Sequence, residues 1–237
     1  MEALLVFAIV FLAIFTQSLT GFGLALVSMP LLTSVLGVGT AAPLVALIAL
    51  VAEAILLLYF RQALSLTVIW RLALASVFGV PVGVLGLRIV DERLVLGLLG
   101  FVLAGYALYG LFSLRLPRLQ HTLWAYGAGF LAGILGGAYN TSGPPVIVYG
   151  HSRRWAPSQF KANLQGFFLL NSAVVLVGHL LAGNMSPAVW RGSLSAAPAV
   201  PLGILAGLYL DRHIDPQRFR QLVLIVLFFL GLRLLLG

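Results

Sequence analysis

A short run of small polar residues interrupts an apolar sequence in the second half of the chain. It reads GGAYNTSGPPVIVYG over residues 136–150, and Asn140, Thr141 and Ser142 offer hydrogen-bond donors without a charge. The two adjacent prolines lack an N–H group and disfavour helix before them, so no continuous helix passes through. The freed donors are suited to bind a small polar ligand at a helix break, as in many secondary transporters. A simple loop between two helices is the alternative.

The composition identifies the class of protein. Hydrophobic residues make up 61% of the 237 residues, charged residues make up 8%, and the mean hydropathy is +1.09. These values are typical of an all-α integral membrane protein and exclude a soluble domain. The net charge of +8 comes from basic residues between apolar segments, which indicates membrane topology rather than nucleic-acid binding. The chain has no cysteine, which excludes disulfides and thiolate metal sites.

A second break is predicted near the N-terminus. Residues 3–37 are nearly all apolar, and one helix of that length would reach about 50 Å, whereas the hydrocarbon core is about 30 Å thick. The helix must therefore be interrupted, which leaves two short arms at 4–18 and 24–36. The interruption is marked by Gln17, Ser18, Thr20, Gly21 and Gly23.

The remaining apolar segments are predicted as helices of two similar halves. The spanning helices of the first half are expected at 41–60, 67–90 and 94–114. After Pro117 the pattern restarts, with segments at 122–137, 145–153, 160–181, 187–210 and 219–236. We therefore divide the chain into halves 1–118 and 119–237 within one integral membrane domain.

An internal repeat links the halves at a constant offset of 120 residues. Trp70–Arg71 recurs as Trp190–Arg191, and Val80–Pro81 recurs as Val200–Pro201 with a glycine two residues later in both. Two matches at one offset predict a structural repeat. The two breaks then occupy corresponding positions, which is the best sequence pointer to a transporter's substrate site.

The basic residues indicate that the repeats are inverted. If each break is the tip of a hairpin, ten basic residues share one face of the membrane: Arg61, Arg71, Arg115, Arg118, Arg153, Arg154, Lys161, Arg212, Arg218 and Arg220. Only four fall on the other face: Arg88, Arg93, Arg191 and Arg233. By the positive-inside rule this predicts two inverted repeats, each a broken-helix hairpin plus three transmembrane helices, with both termini outside. If each broken segment crossed once, the basic residues would divide about evenly.

Few polar residues lie within the predicted helices. Glu53 is the one acid of six away from a segment end, so it is a candidate for coupling transport to protons, with a structural buried acid as the equal alternative. Gln165 and Ser172 share a helix face with Asn171 beside it, and they either line a cavity or join helices. His179 is expected to be a packed histidine, because no second histidine lies at metal-ligand spacing.

The two breaks resemble the motifs of a known family. The segments GFGLALVSMP and GGAYNTSGPP, each opening a half made of apolar helices, look like those of the sulfite exporter TauE/SafE family, and the resemblance covers the whole chain. It implies transport of small sulfur-containing anions such as sulfite and sulfonates. The residues that it supports are Gly21, Gly23 and Pro30 in the first motif and Gly136, Gly137, Gly143 and Pro144 in the second.

The breaks and the resemblance together predict a secondary transporter that moves a small anion by alternating access. Helix N-termini carry partial positive charge and free N–H groups, so arms beginning at 22–24 and 144–146 can bind an oxyanion without a buried arginine. No cofactor, metal or catalytic residue is predicted. The predicted substrate-binding residues are Gln17, Thr20, Gly21, Phe22, Gly23, Asn140, Thr141, Ser142, Gly143, Pro144, Gln165 and Asn171.

Two other functions are considered. A channel-like or uptake protein for another small metabolite is the alternative within the class. From a different class, Ser142 would be the nucleophile of an intramembrane hydrolase with His151 or His179 as base, but no acid is evident to orient that base. The expected partners are the anion and the lipid bilayer, with a homodimer as a further option, and the expected location is the bacterial inner membrane.

Overall fold

A computed structural model describes residues 2–112, 117–211 and 213–236, and it is helical throughout these ranges apart from short connections. A 3-10 turn at Arg61–Ala63 links the third and fourth helices. The helices are α1 Glu2–Thr20, α2 Leu24–Leu36, α3 Val38–Phe60, α4 Leu66–Ile89, α5 Glu92–Leu111, α6 Leu123–Tyr139, α7 Gly143–Ser152, α8 Pro157–Leu181, α9 Pro187–Ala196, α10 Ala199–Leu210 and α11 Pro216–Leu236.

The helices have the length and surface of a membrane protein. Seven helical spans in the described ranges are long and apolar enough to cross a bilayer, and α2 and α6 are shorter apolar helices. Large apolar side chains point outward, among them Phe78, Phe101 and Leu181. Such a surface is stable against lipid chains and not against water. The predicted all-α integral membrane fold is confirmed.

The predicted breaks are present but shorter than expected. The helix α1 continues to Thr20, and the hydroxyl groups of Thr16, Ser18 and Thr20 each donate to the backbone carbonyl four residues earlier within it. The helix α7 begins at Gly143 and not at the second proline, because proline fits the first helical turn, where its missing N–H has no partner to lose.

Some residues that the sequence predictions used lie outside the described ranges. They are Leu114, Arg115 and Arg212, together with the side chain of Arg88.

One predicted helix differs from the structure. The segment 187–210 was expected to be a single helix, whereas a turn at Ala197 and Pro198 divides it into α9 and α10. Pro198 lacks the N–H that would continue the helical ladder, while Ala197 and Pro198 both keep helical backbone angles.

Helices from the two halves pack in corresponding pairs. In the described residues α4 packs along α6 and α10 along α1, while α3 packs against α8 and α5 against α11. Glycines permit the close approach: a β-carbon on Gly83 would overlap the carbonyl oxygen of Ile134, and one on Gly203 would lie 3.0 Å from Ile14 Cβ. Gly203 follows Gly83 by 120 residues, and Ile134 follows Ile14 by 120 residues. The two contacts are therefore related by the offset of the sequence repeat.

Each break joins two helices that return to the same end of the molecule. Glu2 at the start of α1 and Leu36 at the end of α2 border one surface cavity. Arg153, which follows α7, donates from Nη1 to the carbonyl oxygen of Leu119, which precedes α6, at 3.1 Å. The helices α1 and α2, like α6 and α7, therefore form hairpins whose tips are the breaks.

Candidate anion site at the two helix breaks

The first break is a bend at residues 21–23 that a pair of glutamines bridges. Gly21 and Gly23 have φ values of 84° and 121°, in the left-handed region that favours glycine. Gln17 Oε1 accepts a hydrogen bond from the N–H of Leu24 at 3.0 Å, which links the end of α1 to the start of α2. Gln17 Nε2 donates to Gln165 Oε1 at 3.2 Å, and Gln165 Nε2 donates to the Gly21 carbonyl oxygen at 2.8 Å.

The second break is centred on Asn140, which has a φ of 54°, a left-handed conformation that asparagine tolerates. Its N–H donates to the carbonyl oxygen of Gly136 at 2.7 Å, and the N–H of Thr141 donates to that of Leu135 at 3.2 Å. The Asn140 side-chain Nδ2 donates to the carbonyl oxygen of Ala42 at 3.5 Å. Asn140 therefore ends α6 and ties the second break to the first turns of α3.

The two breaks meet at one small cavity. Its volume is about 20 Å³, which is room for about one water molecule. All of its wall residues except Ala25 are buried, so the cavity lies in the interior of the helix bundle. The wall consists of Gln17, Gly23, Leu24, Ala25 and Leu26 from the first hairpin, Asn140, Thr141, Ser142 and Gly143 from the second, and Ala49, Glu53 and Phe168 from α3 and α8.

The N-termini of α2 and α7 both point into this cavity. Neither Gly23 nor Ser142, the residues before the first turns, caps its helix with a side chain. The N–H groups of Ala25 and Leu26 belong to the first turn of α2, where the helix itself offers no acceptor. In α7 the second and third residues are prolines without an N–H group, so the free N–H groups come mainly from α2. The positive ends of two helix dipoles therefore converge on the cavity, an arrangement that attracts an anion.

An acidic side chain shares the cavity. Glu53 lies in the middle of α3 and is only 5% exposed. The side chain of Ser172 on α8 lies near its carboxyl group, while Glu53 Oε2 has no hydrogen-bond partner among the described residues. An ionised carboxylate on the wall of so small a cavity would repel an anion bound within it. The cavity thus suits an anion when Glu53 carries a proton.

Comparison with known proteins identifies the family to which this chain belongs. The profile of the family described as "Sulfite exporter TauE/SafE" matches residues 6–234. The chain belongs to the sulfite exporter TauE/SafE family. A relative from Cupriavidus necator, "Probable sulfite/organosulfonate exporter TauE", is 30% identical over 232 residues, which cover 93% of this chain and 88% of the relative. No solved structure gives a significant match.

In this TauE/SafE chain, the cavity wall includes half of the residues that the sequence predicted to bind substrate. They are Gln17, Gly23, Asn140, Thr141, Ser142 and Gly143. The coupling candidate Glu53 lies on the same wall. The structure thus brings together residues that are separated by more than a hundred positions in the sequence, and all of them come from the two breaks or from α3.

The other six predicted residues lie beside the cavity and support the breaks. Gln165 bridges to Gln17 and donates to the Gly21 carbonyl oxygen, and Pro144 is buried in the first turn of α7. The Thr20 hydroxyl accepts from the N–H of Phe22 at 3.2 Å. Phe22 itself packs edge-on against Tyr106, with 6.1 Å between ring centroids.

Asn171 has a different environment from the rest of the predicted set. It is fully buried on α8, and its amide lies where a side chain on Gly136 would be, so it fills the space beside the last turn of α6. Neither its Oδ1 nor its Nδ2 has a hydrogen-bond partner among the described residues. Asn171 therefore contacts the hairpin that carries the second break without reaching the cavity wall.

Five residues of the cavity wall were not predicted from the sequence: Leu24, Ala25, Leu26, Ala49 and Phe168. The first three follow the first break directly, and their backbone position at a helix start is the signal that identifies them. Ala49 precedes Glu53 by one helical turn, which places both on one face of α3. Nothing in the local sequence distinguishes Phe168.

The arrangement of Ser142 does not fit a nucleophile paired with a base. His151 lies nine residues after Ser142, about 14 Å away along the helix axis, and stacks on Phe160 at 4.9 Å between ring centroids. His179 is fully buried, and its Nδ1 lies 3.0 Å from Asn184 Nδ2. A base must lie within hydrogen-bonding reach of its nucleophile, and neither histidine does so.

Proposed function

We propose that the protein is a secondary transporter of a small sulfur-containing oxyanion or sulfonate, with the cavity between the two breaks as its substrate site. The observation that carries the proposal is the convergence of two helix N-termini on one buried cavity. Such a site binds an anion through N–H groups and dipoles without a basic side chain. The Cupriavidus necator relative, a probable sulfite/organosulfonate exporter, supports the choice of substrate class.

In this proposal the structure shows the site in a closed state that has too little room for the anion. A sulfur atom with three oxygens is larger than the water-sized cavity, so the hairpins must separate to admit it. Alternating access then consists of opening the cavity first towards one face and then towards the other, around the two breaks. The bridge of Gln17 and Gln165 is the contact that orders the first break in the closed state.

We propose that the two halves are inverted repeats with both termini outside, in a bacterial inner membrane. The hairpin geometry of both breaks and the repeat-related contacts of Gly83 and Gly203 support this topology. Because the chain has no cysteine, single cysteines report the faces directly. Cysteines at Leu119 and Ser158 should react with an impermeant thiol reagent only from the cytoplasm, and one at Leu236 only from outside. Labelling of Leu119 and Ser158 from opposite faces would exclude the inverted arrangement.

We propose that Glu53 carries a proton together with the anion. Within the described part of the chain, Glu53 has no ion-pair partner: α2 has no titratable side chain, Lys161 on α8 is paired with Asp211, and Arg191 on α9 borders a surface cavity. His179, also on α8, lies seven residues beyond Ser172 and contacts Asn184. Protonation of Glu53 thus removes the repulsion that would otherwise oppose binding of the anion.

A survey of ligands by thermal stability tests the proposed substrate class. The purified protein is heated in the presence of sulfite, a small alkanesulfonate, acetate or chloride, because a ligand that binds the folded state raises the apparent melting temperature. We expect sulfite and the sulfonate to stabilise the protein in a saturable manner, and acetate and chloride to have little effect. The absence of stabilisation by any sulfur anion, together with stabilisation by an unrelated metabolite, would favour the alternative of an uptake protein for that metabolite.

A further inference from the structure

Lys161 occupies an unusual position beside the first break. It is the one lysine in the sequence, and its side chain is only 21% exposed. It lies on α8 one turn before Gln165, and a β-carbon added to Gly21 would lie 3.0 Å from Lys161 Cγ. Lys161 and Gln165 therefore pack on the same bend, one through its aliphatic stem and the other through a hydrogen bond to the Gly21 carbonyl oxygen.

The ammonium group of Lys161 is bound by a carboxylate. Its Nζ lies 3.1 Å from both Oδ1 and Oδ2 of Asp211, which directly follows α10, and 5.5 Å from the centre of the Phe60 ring. Two oxygens on one charged centre are also what a sulfite or sulfonate group presents to a cation. The carboxylate of Asp211 thus binds the ammonium group of Lys161 in the way that a substrate oxyanion would.

The ion pair of Lys161 and Asp211 has no equivalent at the second break. At the repeat offset of 120, Asp211 corresponds to Asp91, but Lys161 corresponds to Ala41, which is fully buried. Asp91 instead accepts a hydrogen bond from the N–H of Arg93 at the start of α5. A half-buried cation thus lies beside the first break, and its counterpart beside the second break is a methyl group.

We propose that Lys161 is the residue that first binds the substrate anion on the face where α8 begins and α10 ends, and that Asp211 occupies its ammonium group while no anion is present. This inference rests on the proposed function. An arriving anion exchanges with Asp211, which frees α10 from α8 and allows the first break to open towards this face. Because the other break has Ala41 in the corresponding place, the protein loads anions preferentially from the Lys161 face, which the charge distribution assigns to the cytoplasm.

Charge-selective labelling tests the role of Lys161 without the use of a substrate. A single cysteine replaces Ala49 on the cavity wall, and impermeant methanethiosulfonates of either sign are applied from the Lys161 face. With Asp211→Asn, which leaves the ammonium group unpaired, we expect labelling by the anionic reagent to rise on the order of tenfold relative to the cationic one. Lys161→Met in place of Asp211→Asn should show no such preference. Asp215→Asn, which removes the acid of an exposed ion pair with Arg218, is the matched control and should change nothing.

A charge-reversed pair separates the proposed role from a merely structural one. Lys161→Asp combined with Asp211→Lys restores the ion pair, so its melting temperature should exceed that of Lys161→Asp alone. Sulfite flux from the Lys161 face should nevertheless stay at least about tenfold below that of the unmodified protein, because the cation no longer lies beside the break. Flux equal to that of the unmodified protein would show that the pair is structural only.

The outcomes distinguish this inference from the proposed function. If the unmodified protein moves no sulfur anion, the proposed function fails, whatever the labelling shows. If it moves sulfite, but Asp211→Asn and Lys161→Met leave both the labelling ratio and the flux unchanged, then Lys161 does not bind the anion. Should the charge-reversed protein fail to fold, these two single variants still decide the question.

Discussion

Replacement of Gln165 by methionine should weaken anion binding through its effect on the first break. Gln165 is fully buried, and its amide makes two hydrogen bonds, one with Gln17 and one with the Gly21 carbonyl oxygen. Methionine preserves the volume but leaves both of those groups without a partner. Each unsatisfied buried group costs about 1 kcal/mol, so the closed conformation of the break loses about 2 kcal/mol. If binding requires that conformation, the dissociation constant for sulfite rises by up to about 30-fold.

The assay is calorimetric or thermal-shift titration of the purified protein with sulfite. Gln159→Met is the matched control, since Gln159 lies on the same helix but is exposed, and it should bind sulfite like the unmodified protein. The contrary result is a folded Gln165→Met variant that binds sulfite with unchanged affinity. In that case the bridge between α8 and the first break would have no part in forming the site.

Three further substitutions test proton coupling, the second break and the packing of α4 on α6. Glu53→Gln should abolish the pH dependence of anion flux in proteoliposomes with an imposed pH gradient, because the amide cannot exchange the proton; an unchanged pH profile would remove Glu53 from coupling. Gly143→Val should abolish flux without loss of expression, since a β-carbon there meets no atom closer than 3.4 Å and the added methyl groups enter the cavity; normal flux would make the second break merely a loop. Gly83→Ala should destabilise the protein by about 2 kcal/mol in a thermal or denaturant assay, because its β-carbon overlaps the backbone of Ile134. Its control, Gly86→Ala, meets nothing within 4 Å and should be neutral, so equal stabilities would contradict the described packing of α4 on α6.

The two breaks could be predicted from the sequence because they are local features. An apolar run of 35 residues is too long for one helix, and glycine, proline and small polar residues mark where the chain bends. The offset of 120 residues also placed the breaks in corresponding positions, and the structure shows both at one cavity. The prediction of Glu53 as a functional candidate needed only the rarity of acids within membrane helices.

The remaining parts of the site depend on how helices pack, which the local sequence does not report. Ala49 and Phe168 reach the cavity because α3 and α8 pack together at a particular rotation. The pairing of Lys161 with Asp211 joins residues 50 positions apart at the ends of different helices. The turn at Pro198 was likewise missed, since a proline within an apolar segment can kink a membrane helix or end it.

The claim that the anion passes through the cavity between the two breaks is tested most directly by sulfite flux in a variant whose cavity is filled. Ala49→Leu places a side chain larger than the cavity volume of about 20 Å³ on its wall, whereas Val51→Phe enlarges an exposed residue of the same helix. We predict saturable transport of radiolabelled sulfite by the unmodified protein and by Val51→Phe, and loss of transport in Ala49→Leu at equal protein content. Saturable sulfite transport by a well-folded Ala49→Leu variant would show that the anion does not pass between the two breaks.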